Sequence, residues 1–169
     1  MMALDARRAG PDPILFLDLD GVVSPLAGGR LGPLPATWPA WVEAEPGVSV
    51  APAMLDALAA LPVERQWLSS WEREIELLSQ AIGWSATPWL PLPEPTRGWA
   101  KLAALRAWQT THRQRPIIWV DDDPRIASSG RRWVRTLSVP TLLVRPSKRV
   151  GLTSRHIAHM QAWCAGLVT

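Results

Sequence analysis

The stretch Ile14-Leu15-Phe16-Leu17-Asp18-Leu19-Asp20-Gly21-Val22-Val23 decides the fold. Four consecutive apolar side chains read as a buried strand, and Gly21 behind the second acid lets the backbone turn sharply out of a sheet. Asp18 and Asp20 therefore stand at a strand's carboxyl end. Two carboxylates this close repel each other by several kcal/mol at low effective dielectric, so the pair makes sense where a cation or a shared proton offsets the repulsion.

Working outward, strand and helix patterns alternate. Ala53–Leu61 reads as a helix entered through Pro52, and Val63–Leu68 as a short strand ending in Ser69-Ser70. Trp71–Ile82 reads as an amphipathic helix with Trp71, Ile75, Leu78 and Ile82 on one face and Gly83 as its stop. After a Pro- and Trp-rich connection, a helix from about Arg97 to Trp108 carries Lys101 near its first turns. Pro116–Val120 is a third strand, ending in Asp121-Asp122-Asp123-Pro124. Ile126 to about Arg135 reads as helical, Thr141–Val144 as a fourth strand, and Ser154 to about Ala165 as a terminal helix capped by Thr153 or Ser154.

This alternation predicts an α/β fold: a three-layer, Rossmann-like, mainly parallel sheet with helices on both faces. Ligands gather beyond the carboxyl ends of such strands. Asp18 and Asp20, Ser69, and Asp121 to Asp123 each end a separate predicted strand and should therefore converge in space.

A chain of 169 residues suits a single domain, 1–169, with one core. An insertion at about 24–52 is punctuated by Pro25, Gly28, Gly29, Gly32, Pro33, Pro35, Pro39, Pro46 and Gly47. It reads as loop or short-hairpin material, a flap rather than a large cap domain. Hydrophobic residues at 47% and charged ones at 20% exclude disorder over most of the chain. No stretch approaches the roughly 20 apolar residues of a membrane span, and Met1–Gly10 leads into an acid-bearing strand rather than a signal-peptide core. With Cys164 as the only cysteine, no internal disulfide forms. A cytoplasmic protein without membrane contact is expected, its oligomeric state left open.

Charge is split along the chain. Residues 1–94 carry 12 acids against 5 arginines, whereas residues 95–169 carry 13 bases against Asp121, Asp122 and Asp123 alone. A basic half with its only acids clustered suits a phosphorylated partner and a metal; a solvated Arg-rich surface is the competing reading.

Asp18-Leu19-Asp20-Gly21-Val22, the run ending in Ser69, the helical Lys101 and Ile117-Ile118-Trp119-Val120-Asp121-Asp122 together resemble the four ordered motifs of haloacid dehalogenase-like (HAD) hydrolases. The resemblance covers roughly residues 14–124. More narrowly, the short flap and Trp67-Leu68-Ser69-Ser70-Trp71-Glu72 are similar to the small HAD domains of RNA-repair proteins. The superfamily resemblance implies a magnesium-dependent phosphomonoesterase working through a phosphoaspartyl intermediate. Without a large cap, its open site would admit phosphate on a bulky substrate such as a nucleic-acid end.

Under this resemblance Asp18 is the carboxylate nucleophile and Asp20 the acid that protonates the leaving oxygen and later activates water. The metal site implied for Mg²⁺ comprises Asp18, the Asp20 backbone carbonyl and Asp122, with Asp121 orienting or supporting. Ser69, with Ser70 as the alternative, holds a phosphoryl oxygen, and Lys101 neutralises charge on the phosphate and on Asp18. Ser69 and Glu72 also fit a Ser-x-x-Glu capping box, a purely structural role. Asp123 before Pro124 fits a cap of the following helix.

Of the 11 tryptophans, Trp71, Trp108, Trp119 and Trp133 read as core. Trp38 and Trp41 in the flap, and Trp84, Trp89 and Trp99 near the Pro-rich connection, are candidates for stacking on a substrate ring. Arg131, Arg132 and Arg135, with Arg145, Lys148 and Arg149, could track a nucleic-acid backbone or form an ordinary charged face. His112, His156 and His159 show no ligand pattern. The alternative function is a catalytically weak phosphate- or RNA-binding module of the same fold.

Overall fold

The computed structural model of the protein describes residues 11–27, 32–94 and 98–168. Met1–Gly10, Gly28, Gly29 and Arg97, which figured in the sequence reading, lie outside them. Four strands, β1 (Ile14–Leu17), β4 (Glu64–Trp67), β5 (Ile117–Val120) and β6 (Thr141–Val144), form a parallel sheet in the order β4-β1-β5-β6. They pair in step, Leu17 opposite both Trp67 and Val120, and Val120 opposite Val144. The central pair, β1 and β5, is buried at every residue, and both strands are accordingly continuous apolar runs.

Alternate residues of β1 enter different apolar clusters, as the period-2 pleat requires. Leu15 and Leu17 join Met54 and Leu58 of α1 (Pro52–Ala59), Ile75 and Leu78 of α2 (Ile75–Ala81), and Ile157 and Met160 of α5 (Ser154–Gly166). Ile14 and Phe16 join Leu102 and Leu105 of α3 (Ala100–Thr111) and Trp133 of α4 (Ser129–Val134). The result is a mixed α/β architecture, a parallel sheet flanked by helices. No helix among the described residues is long and apolar enough to cross a membrane.

Two predicted helices begin differently. Instead of one helix from Trp71, a 3-10 turn at Glu72–Glu74 precedes α2, while Trp71 still packs against the apolar cluster that holds Ile75 and Leu78. The Ser69/Glu72 capping box does not form, because the Glu72 carboxylate accepts the Leu92 N–H (2.9 Å) from a distant loop. A 3-10 turn at Pro124–Ala127, with Asp123 as its N-cap, likewise precedes α4. At α5 the cap is Thr153, whose N–H donates to His156 Nδ1 at 3.1 Å.

Within the 24–52 insertion, β2 (Val42–Glu45) and β3 (Val48–Val50) form an antiparallel hairpin. Val48 and Val50 are buried in the cluster containing α1, α2 and α5, with Trp38 and Trp41 packed against it.

Candidate active site

The ladder hydrogen bonds continue past the strand ends and carry the acids with them. Asp18 N–H donates to Val120 O (3.1 Å), Leu68 N–H to Leu17 O (2.9 Å) and Asp121 N–H to Val144 O (3.1 Å). The first residues beyond β1 and β5 are therefore held side by side at the sheet's carboxyl end. Beyond Asp18 the chain folds back at once, as Leu19 O accepts the N–H groups of Val22, Val23 and Ser24.

Gly21 makes this turn possible for two reasons. Its φ of +71° lies in the left-handed region, and a Cβ there would stand 2.6 Å from Cγ and Oδ2 of Asp122. The close backbone approach is what lets Asp122 lie against the β1 turn. A second clasp comes from the far edge of the sheet, where Leu152 N–H donates to Val22 O (2.8 Å) and Leu26 N–H to Lys148 O (2.7 Å).

Lys101, in the first turn of α3, places its ammonium 2.6 Å from Asp18 Oδ2 and 2.9 Å from Asp121 Oδ2. Asp18 Oδ1 accepts the Leu19 N–H at 2.8 Å, and Asp121 Oδ1 the Asp123 N–H at 2.9 Å. Asp18 is 5% exposed and Asp121 fully buried. Asp18, Asp121 and Asp122 each offer a carboxylate oxygen within 4.8 Å of the others.

Three carboxylates thus face one ammonium. Burial pushes the Asp18 carboxyl up to about 7, against the opposing pull of Lys101. Burial and then the Asp121 charge raise Asp122, while the Lys101 ammonium is held above its ordinary value by its acidic partners despite its own burial. An oxygen-only donor set with negative charge in excess fits a hard divalent cation such as Mg²⁺.

Asp20 stands apart from the three-acid group, and its Oδ2 accepts the indole N–H of Trp71 at 2.9 Å. The acids border a cavity of about 450 Å³ whose lining includes Asp18, Asp20, Ser70, Lys101, Asp121, Asp122 and Asp123, with Leu26, Leu92, Trp99 and Arg125 completing the mouth. Ser70 is exposed there, whereas Ser69 is buried beside it, its Oγ 3.4 Å from Trp71 N–H.

Of the other sequence candidates, Trp99 alone lines this cavity. Trp38 donates to Leu152 O and Trp41 to Pro35 O, both at 2.8 Å, and neither lines the acid cavity. Of the described residues of the insertion, Leu26 alone does so. Arg131 and Arg132 are exposed on α4, away from the cavity lining. Trp84 is not a stacking surface but a core residue, packed 5.6 Å from Trp67. Trp89 donates to Glu76 (2.9 Å), and Trp99 stacks on Trp119 with ring centres 4.8 Å apart.

Two contributors escaped the sequence reading. Trp71 packs against the core as helical spacing suggested, and its indole N–H in addition reaches Asp20, which no local pattern signalled. Arg125, 5.1 Å from the Trp99 ring centre and ion-paired with Asp123 at 2.6 Å, had the Asp-Pro-Arg turn as its only local signal. Comparisons with protein-family models, curated proteins and solved structures each find no match to this chain.

Proposed function

We propose that the protein is a magnesium-dependent phosphomonoesterase of the HAD type, acting through a phosphoaspartyl intermediate. We read its architecture as three-layer and Rossmann-like, with no large cap over the site. The observation that carries this reading is the meeting of Asp18, Asp20, Lys101, Asp121 and Asp122, from three separate chain segments, at the carboxyl end of one parallel sheet. A structural ion-pair network needs no such excess of carboxylates; a phosphoryl-transfer site does.

Asp18 attacks phosphorus, the ester P–O bond breaks, and the departing oxygen takes a proton from Asp20. Asp20, now a carboxylate, removes a proton from water, which attacks the acyl phosphate and releases inorganic phosphate, restoring Asp18. Lys101 holds Asp18 in place and offsets part of the charge that a phosphate brings. Asp18, Asp122 and the Asp20 carbonyl, with Asp121 in support, would hold Mg²⁺, which would supply positive charge to the ionised nucleophile and to the phosphate. Ser70 lines the cavity and is assigned the phosphoryl-oxygen contact, with the buried Ser69 adjacent to it in the chain.

The test is phosphate release from p-nitrophenyl phosphate and from 3′- and 5′-phosphorylated oligonucleotides, in Mg²⁺ and in EDTA, for wild type and Asp18→Asn. Metal-dependent turnover lost in the variant is expected. Absence of turnover on every substrate overturns the enzyme reading, and salt-sensitive oligonucleotide binding without turnover points to a binding module instead.

A further inference from the structure

The carboxylates of the site are held in two different ways. Asp18 and Asp121 share the Lys101 ammonium, a fixed positive charge. Asp20 is held by a neutral group: the Trp71 indole N–H at 2.9 Å is its one side-chain hydrogen-bond partner among the described residues. The two residues are 51 positions apart, so the contact belongs to the assembled site and not to a local turn.

The backbone around Trp71 is bent to make this contact. Glu72 adopts a φ of +43°, the only non-glycine residue with positive φ among those described. A left-handed conformation costs a non-glycine residue about 1–2 kcal/mol, so it persists where the surroundings impose it. Glu72 is pinned on both sides, its N–H to Ser69 O (3.3 Å) and its carboxylate to Leu92 N–H (2.9 Å). Trp71 stands immediately before this pinned residue, in the turn between β4 and α2, with its indole N–H on Asp20.

The chemistry of the donor matters. An indole N–H donates and cannot accept, so the oxygen it faces presents a lone pair to it and is turned away from other partners. A single directional N–H fixes the orientation of the carboxyl plane, which a compact ammonium does not. We propose that Trp71 is a positioning residue that clamps Oδ2 of Asp20 and thereby presents Oδ1 to the leaving group and to water. This rests on the phosphomonoesterase reading above. In the first half-reaction the Oδ1–H bond breaks as the leaving oxygen gains the proton; in the second, Oδ1 takes a proton from water.

The decisive variant is Trp71→Phe, which keeps an aromatic ring and removes the N–H. An alkyl phosphate such as glycerol phosphate has a poor leaving group that needs protonation, whereas p-nitrophenolate departs without it. Loss of positioning should lower kcat/KM for the alkyl ester about tenfold or more and that for p-nitrophenyl phosphate less than about threefold, given that general acid catalysis contributes about 10²–10⁴-fold. An equal loss on both esters means that Trp71 only packs, and overturns the proposal.

A second measurement does not depend on turnover. In ¹⁵N-labelled, metal-free protein, the indole resonance missing from Trp71→Phe belongs to Trp71, and its proton should move upfield in Asp20→Ala as the carboxylate acceptor is lost. An unmoved resonance overturns the clamp. If wild type is inactive on both esters, the phosphomonoesterase reading and any catalytic role for Trp71 fall together, while the indole shift still decides whether the contact exists.

Discussion

Asp18→Asn should make the metal-free protein more stable at the same time as it abolishes turnover. Asp18 is 5% exposed, and burial lifts its carboxyl from 3.8 to about 7. That gap corresponds to about 4 kcal/mol against the ionised form in the folded protein. The folded state holds more protons than the unfolded chain between 3.8 and about 7, so stability falls as pH rises through that window, and the whole penalty is present by pH 8. Asparagine cannot ionise, and with residue 18 neutral Lys101 still pairs with Asp121.

The amide accepts only one of the two bonds Asp18 now accepts, from Leu19 N–H or from Lys101, a loss of about 1 kcal/mol. A net gain of about 1–3 kcal/mol at pH 8 is therefore expected, shrinking toward pH 5. Urea unfolding in EDTA at pH 5 and pH 8 at constant ionic strength measures it. A variant less stable than wild type at pH 8, or one with an unchanged pH slope, refutes the inference that Lys101 only partly offsets the burial of ionised Asp18. Mg²⁺ at about 1,000 times the wild-type Kd should reverse the order, since a ligand at that concentration stabilises its site by about 4.1 kcal/mol and the variant lacks a ligand group.

Gly21→Ala forces a Cβ to 2.6 Å from the Asp122 carboxylate at a φ of +71°; a loss of at least about 2 kcal/mol in urea unfolding is expected, with Mg²⁺ affinity by calorimetry about tenfold weaker. Lys101→Met strands Asp18 and Asp121 without their shared cation, so unfolding at pH 8 should show a loss of about 3 kcal/mol, smaller at pH 5 where Asp18 is protonated, and partly restored by Mg²⁺. Asp123→Ala removes the cap accepting Arg125 N–H (2.8 Å) and should cost about 1 kcal/mol in thermal or urea unfolding. Its bond with Arg125 holds the Asp123 carboxyl below 3.8, so this contribution is present above that pH and is lost as pH falls through the depressed value.

By itself the sequence determined the strands and their terminal acids. Ile14–Leu17 and Ile117–Val120 are apolar without interruption because both faces of a central parallel strand are covered, and that pattern is local. Gly21 was legible as a turn, and Asp123 before Pro124 as a cap, because both depend on neighbouring backbone alone.

Tertiary structure decided what crosses the sheet. Strand order β4-β1-β5-β6 seats Asp18 next to Asp121 and brings Lys101 between them, and it gives Gly21 a second duty, admitting Asp122, that no residue near it in the chain announces. Trp71 is the plainest case. Helical spacing assigned its ring to the core, where it packs, but the Glu72 carboxylate of the expected capping box found an N–H 20 residues away and the indole N–H found Asp20 51 residues back. Hydrophobic periodicity records which face of an element is buried; it carries no record of a single hydrogen bond between distant segments, because such a bond acts only after packing has placed its two ends within 3 Å.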